Sequence, residues 1–120
     1  AELLGECVSA STEENLKAAA AGEHEEWTSM YPEFAKVARE EGFTRIANLF
    51  EMVAKIEQEH DARYNLLLAN IQEDKVFKRN EKMIWMCSNC GHVYEGTEAP
   101  EICPVCAHPK AFFEIKANNY

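Results

Sequence analysis

Two groups of residues carry donor atoms at spacings that suit metal ions. Cys87-Ser-Asn-Cys90-Gly91 and Cys103-Pro-Val-Cys106 are CxxC turns, and each such turn presents two thiolates to one point. Together they make a tetrahedral four-sulfur site for iron or zinc, a choice that spacing alone leaves open. Gly91 suits a turn position that needs positive φ. Ala107 holds the matching place in the second turn, where a left-handed conformation costs about 1–2 kcal/mol. The other group is Glu57 and His60, three apart on one side of a helix in the stretch KIEQEHDARY, with Glu23 and Glu26 upstream. Carboxylate oxygen with imidazole nitrogen suits iron or manganese, with zinc as a third option. Unpaired carboxylates in a core are expensive, whereas a divalent cation neutralises and fixes them.

The elements that must position these groups are legible in the apolar period. Ser11 and Glu14 have capping-box spacing. From there Leu16, Ala20, Glu23, Trp27, Met30, Phe34 and Val37 alternate spacings of four and three, which predicts one helical face with Trp27, Met30 and Phe34 in the core. Pro32 removes a helical hydrogen bond, so a kink or local widening is expected there. Gly42 supplies a stop and Thr44 a cap for a second helix. The second stripe runs Ile46, Phe50, Val53, Glu57, His60, Tyr64, Leu67 and Ile71. In an antiparallel hairpin turning near Gly42, Glu23 lies about 28 Å from the turn, and Glu57 and His60 about 22 and 27 Å. The carboxylates and the histidine therefore share one depth. A Glu on one helix with Glu-x-x-His on another is half the ligand set of a di-iron carboxylate bundle. The sequence holds no second Glu-x-x-His. The expectation is that a companion N-terminal half or a second copy of the chain supplies the rest.

After about Asp74 the pattern changes to short β-prone runs (Ile84-Trp85, Val93-Tyr94, Phe112-Phe113) separated by Gly, Pro and Asn. So small a unit needs a staple such as a metal. The expected organisation is a lead-in over 1–10, a helical hairpin over 11–74 and a cysteine unit over 75–120. Trp85 and Tyr94 are expected to shelter the thiolates, and Tyr64 to pack. His24, His92 and His108 lack partners in the pattern and are not expected to be ligands. Cys7 reads as an unligated thiol. The formal net charge of −9 argues against nucleic acid or an anionic membrane as partner. No apolar run approaches a membrane span, no secretory signal is visible, and paired CxxC turns suit a reducing compartment.

These residues also carry a resemblance. NLKAAAAGEHEEW at 15–27, MYPEFAKVAREEGF at 30–43, EQEH at 57–60, CSNCG at 87–91 and the APEICPVCAHP segment ending at 109 together resemble the C-terminal portion of rubrerythrins. The resemblance covers residues 14–120. It implies half of a ferritin-like di-iron four-helix bundle followed by a rubredoxin-like domain. Glu23, Glu57 and His60 match di-iron ligands. Glu26 matches a carboxylate whose binding depends on redox state, and Tyr31 a tyrosine beside the site. Cys87, Cys90, Cys103 and Cys106 match iron–thiolate ligands. A complete site would hold two irons, and the four-cysteine site one iron or zinc. The segment AELLGECVSA at 1–10 resembles a linker, which suggests a fragment or nicked chain.

The implied activity is a cytoplasmic peroxidase that reduces hydrogen peroxide to water, with Glu26 or Tyr31 assisting proton delivery. Electrons would come from a donor protein or reductase through the rubredoxin-like centre, commonly to a neighbouring subunit of a homodimer or larger assembly. Two other readings share parts of the pattern: a zinc-ribbon module on a dimerisation hairpin, and ferritin-like iron oxidation. The first leaves the shared depth of Glu23, Glu57 and His60 unexplained, and the second leaves the cysteine unit without a role.

Overall fold

The computed structural model describes residues 11–120, and Cys7 and the expected lead-in lie outside them. The chain divides into two compact units, the first ending at Ala69 and the second covering Asn70–Tyr120.

The helical unit starts with α1, Thr12–Glu25. Ser11 caps it from an extended backbone, its hydroxyl accepting from the Glu14 amide at 3.3 Å. One π-helical turn follows over Glu26–Met30, and α2 runs over Tyr31–Glu40 with Pro32 in its first turn. The widening expected at Pro32 thus takes the form of a π turn ahead of it. There the missing proline N–H is tolerated and the helix continues. Gly42, at φ 86°, reverses the chain. The helix α3 spans Thr44–Gln72. Its first bond runs from the Ala47 amide to the Phe43 carbonyl, so the capping position falls on Phe43 and not on Thr44 as the sequence suggested.

Cross-links define the hairpin as antiparallel. Near the turn, Arg39 donates to Asn48 at 3.2 Å and to Glu51 at 2.7 Å. Further from it, His24 and Trp27 meet Asp61. The seam is built on small residues, with Ala20, Ala35, Ala38 and Ala47 buried, because alanine lets helices approach closely. The larger members of the predicted stripes stand beside it. Phe34, expected in the core, is 44% exposed, and Val37, Ile46 and Leu67 are similarly open. Two helices bury one seam, and a face wide enough for two neighbours keeps its outer half uncovered.

The second unit is a three-stranded antiparallel sheet in the order β2-β1-β3, formed by β1 Lys78–Cys87, β2 Val93–Glu98 and β3 Phe113–Ile115. Trp85 pairs with Tyr94 on one side and Ile115 on the other, and Cys87 pairs with Phe113. The core is Trp85, Cys87, Ala99, Cys103 and Phe113. Two of those five are cysteines, so the site and the core of this unit are one object. Among the described residues, no helix is long and apolar enough to cross a membrane.

Candidate metal centres

The two CxxC turns are built alike. In the first, the Gly91 amide donates to the Cys87 carbonyl at 2.8 Å and the Cys87 amide to the His92 carbonyl at 2.9 Å. In the second, the Ala107 amide donates to the Cys103 carbonyl at 2.9 Å and the Cys103 amide to the His108 carbonyl at 2.8 Å. Gly91 and Ala107 have φ values of 85° and 64°, so Ala107 does adopt the left-handed conformation.

The four sulfurs converge within 4.8 Å of one another, with Cys87 Sγ 3.7 Å from Cys106 Sγ and Cys90 Sγ 3.6 Å from Cys103 Sγ. Metal–sulfur bonds of about 2.3 Å in a tetrahedron put sulfurs about 3.8 Å apart. The cage therefore fits an iron or zinc ion. Its thiols are electrostatically unequal. The His108 amide, helped by the Asn89 side chain and the Cys103 and Cys87 sulfurs, holds Cys106 down at about 5. Cys90 accepts from the His92 amide, yet loss of water and its three sulfur neighbours push it up to about 12.

In the helical unit, donor atoms of Glu23, Glu57 and His60 lie within 4.8 Å of one another, all three half-buried. The His60 Nδ1 is 3.6 Å from Glu23 Oε1 and 3.7 Å from Glu57 Oε2. These gaps are too long for hydrogen bonds and leave room for an ion. Glu23 Oε2 is buried with no hydrogen-bond partner, an orphan that a cation would satisfy. Hydrogen bonding with Glu57, then burial, then the charges of Glu57 and Glu26 push the Glu23 carboxyl up to about 7. Contact with Glu57 likewise raises Glu26, while Glu57 is lowered by its bond to Glu23. Three carboxylates thus share protons where a cation would relieve them, and the donor set fits a divalent metal.

Glu26 begins the π turn and lies outside the cluster of three. Tyr31 is half-buried, its ring 6.0 Å from both Phe34 and Phe50. Trp85 is fully buried beside the cysteines, its indole bonded to the Gly96 carbonyl at 2.9 Å. Tyr94, expected to shelter the thiolates as well, is 43% exposed and lies over Gly96, where a Cβ would meet its ring at 2.7 Å. His24 and His108 stay outside both clusters but are not partnerless as the sequence suggested. His108 packs on Phe112 and faces the Cys106 carbonyl at 3.3 Å, and His24 Nδ1 meets Asp61 at 3.0 Å.

Asp61 is the residue that sequence reasoning missed. It is the one buried charged side chain among the described residues. Its Oδ2 accepts from the Trp27 indole at 2.8 Å and faces His24 Nδ1, and its Oδ1 accepts from the Asn65 amide at 2.7 Å. The Trp27 bond foremost, with His24 and Asn65 adding, holds its carboxyl below the ordinary value. The available signal was Asn65, one turn on, together with the depth that Asp61 shares with Trp27.

Comparison with known proteins follows the same division. The family model described as Rubrerythrin matches residues 6–68, and that described as Rubrerythrin, rubredoxin-like domain, matches 85–114. Rubrerythrin-1 of Clostridium acetobutylicum is 53% identical over 109 residues, covering 91% of this chain and 56% of that protein. Rubrerythrin of Porphyromonas gingivalis is 54% identical over 110 residues, covering 92% of this chain and 55% of that protein. A structure of nigerythrin in a partially reduced state superposes with a TM-score of 0.52 at 30% identity, covering 91% of this chain and 52% of that one. The chain spans little more than half the length of the curated relatives it matches.

Proposed function

The chain belongs to the rubrerythrin family, and from that premise we propose that it acts as a non-haem di-iron peroxidase, fed with electrons through its four-cysteine centre. The observation that carries this reading is the buried, partnerless Oε2 of Glu23 set against Glu57 and His60. A structural zinc ribbon on a hairpin has no need of such a cluster.

Reducing one hydrogen peroxide to two waters takes two electrons and two protons. Iron, when bound, supplies electrons to the O–O bond and polarises its oxygens. Glu23, Glu57 and His60 would hold the metal from two helices. Glu26, whose contact with Glu57 raises its carboxyl, retains a proton more readily than an ordinary glutamate, which supports a role for it in proton delivery. Tyr31 is the second proton-delivering candidate. Cys87, Cys90, Cys103 and Cys106 would hold a single iron, which would supply one-electron transfer from a donor protein or reductase. Thiols that must stay reduced suit the cytoplasm.

A complete site of two irons needs a second hairpin, from a companion half or from a second copy of the chain. Leu49, Met52 and Ile56, spaced along one face of α3 and each at least half exposed, offer it an apolar surface.

The test is peroxide consumption by the full protein with a reduced donor. The substitution His60→Ala is expected to abolish turnover and leave the visible absorption of a ferric tetrathiolate unchanged. Turnover that survives would exclude the helical site as catalyst. A colourless, zinc-only protein would exclude the relay.

A further inference from the structure

The network around Asp61 lies directly behind the helical cluster, and its connectivity follows the ligand pattern. His24 immediately follows Glu23, Trp27 immediately follows Glu26, and Asp61 immediately follows His60. Successive helical residues are rotated by about 100°. When Glu23 and His60 face the cluster, the residues after them therefore point away from it, Asp61 buried in the seam between the helices and His24 at its exposed edge. There they meet on one carboxylate, Trp27 Nε1 at 2.8 Å and His24 Nδ1 at 3.0 Å from the same Oδ2, with Asn65 fixing the other oxygen at 2.7 Å. Trp27 also belongs to the π turn that opens at Glu26, so its bond to Asp61 ties that turn to α3.

We propose that Asp61 is a positioning residue for the helical metal site: by binding His24 and Trp27 it sets the rotation of both ligand-bearing helices and holds the Glu26 turn in register. Neither helix can roll about its axis without breaking a hydrogen bond to a buried acceptor, so the donor atoms of Glu23 and His60 keep their separation before metal arrives. The Asp61 side chain is 12% exposed, which makes it a fixed part of the seam. The ligands are the groups that touch metal, and Asp61 acts only through them.

This inference rests on reading Glu23, Glu57 and His60 as iron ligands, and the experiment separates the two. The full chain is titrated anaerobically with ferrous iron and followed by Mössbauer spectroscopy, which distinguishes iron bound by oxygen and nitrogen from iron bound by sulfur. Wild type, His60→Ala, Asp61→Asn and Trp27→Phe are compared, with melting curves of each metal-free protein. The expected result is that Asp61→Asn and Trp27→Phe weaken iron binding at the helical site by about tenfold or more and change its spectrum, while the sulfur-bound signal is unchanged. A purely structural role lowers the melting temperature but leaves affinity and spectrum at wild-type values, and that result would overturn the proposal. If Asp61→Asn does not fold, Trp27→Phe decides alone. Identical, sulfur-only uptake by wild type and His60→Ala would instead sink the ligand assignment, and the positioning role with it.

Discussion

Glu23 and His60 face each other across the hairpin, with Oε1 and Nδ1 3.6 Å apart. The two residues come from helices joined by a turn at Gly42, and at that separation no hydrogen bond joins them directly. A carboxylate left with a buried, unpaired oxygen beside an imidazole is destabilising in the metal-free protein, and a bound cation would relieve it. The balance between those two states yields the first prediction.

In metal-free protein the Glu23 carboxyl titrates near 7 against an ordinary value of 4.5. The folded state therefore holds this proton more tightly than the unfolded state, and folding stability falls as pH rises from about 4.5 through 7. The substitution Glu23→Gln is expected to flatten that slope and raise metal-free stability at pH 8 by about 1–2 kcal/mol, while abolishing iron uptake at the helical site. Chemical denaturation at several pH values, with and without iron, measures both effects.

Exposure and acidity make opposite forecasts for the cysteines. Cys90 is exposed, yet its thiol titrates at about 12, whereas half-buried Cys106 titrates at about 5. Thiolate is the nucleophile, so brief alkylation of folded, metal-free protein at about pH 6.5 is expected to label Cys106 ahead of Cys90. Peptide mapping by mass spectrometry reads the order.

Gly91 and Ala107 occupy equivalent turn positions at positive φ, but only Ala107 carries a Cβ there. The substitution Ala107→Gly is expected to stabilise the metal-loaded cysteine unit by about 1 kcal/mol, and Gly91→Ala to destabilise it by a similar amount. Nothing lies within 4 Å of a Cβ built at Gly91, so the loss would report backbone conformation and not a clash. Melting curves of the two variants provide the check.

Lys110 bridges Glu98 and Glu101, with Nζ 2.7 Å from each. These contacts raise Lys110 above 10.5 and hold Glu98 below 4.5. The Glu98 contribution is complete above 4.5 and is lost as pH falls through its depressed value. The Lys110 contribution is complete below 10.5 and is lost as pH rises through its raised one. The melting temperature of Lys110→Met is expected to lie a little below wild type by a margin constant between those limits and shrinking outside them. A pH series of melts tests this, and added salt should narrow the margin because the groups are on the surface.

Much of the architecture is legible in the residues. The period of four and three predicts the helices, Ser11 and Gly42 mark a start and a stop, and the change of pattern after Asp74 marks a different unit. The CxxC spacing alone specifies four converging sulfurs, because ligands within one tight turn are placed by local backbone geometry. Glu57 and His60 are legible for a similar reason, being neighbours on one helical face.

Pairings between distant segments depend on how helices roll and how closely they approach, and these are properties of packing. The stripe assigned Phe34 to the core, but the seam settled on alanines and left Phe34 open. Trp27 reads as another apolar position, yet its N–H turned it towards Asp61, and His24 followed. The sequence by itself determined which atoms could bind metal and roughly at what depth, since both are counted along the chain. Only the tertiary structure decided that Glu23 meets His60, that Glu26 stands at a π turn outside the tight cluster, and that a buried aspartate ties the helices together. Those outcomes rest on rotation about two helix axes, set by contacts more than thirty residues apart in sequence.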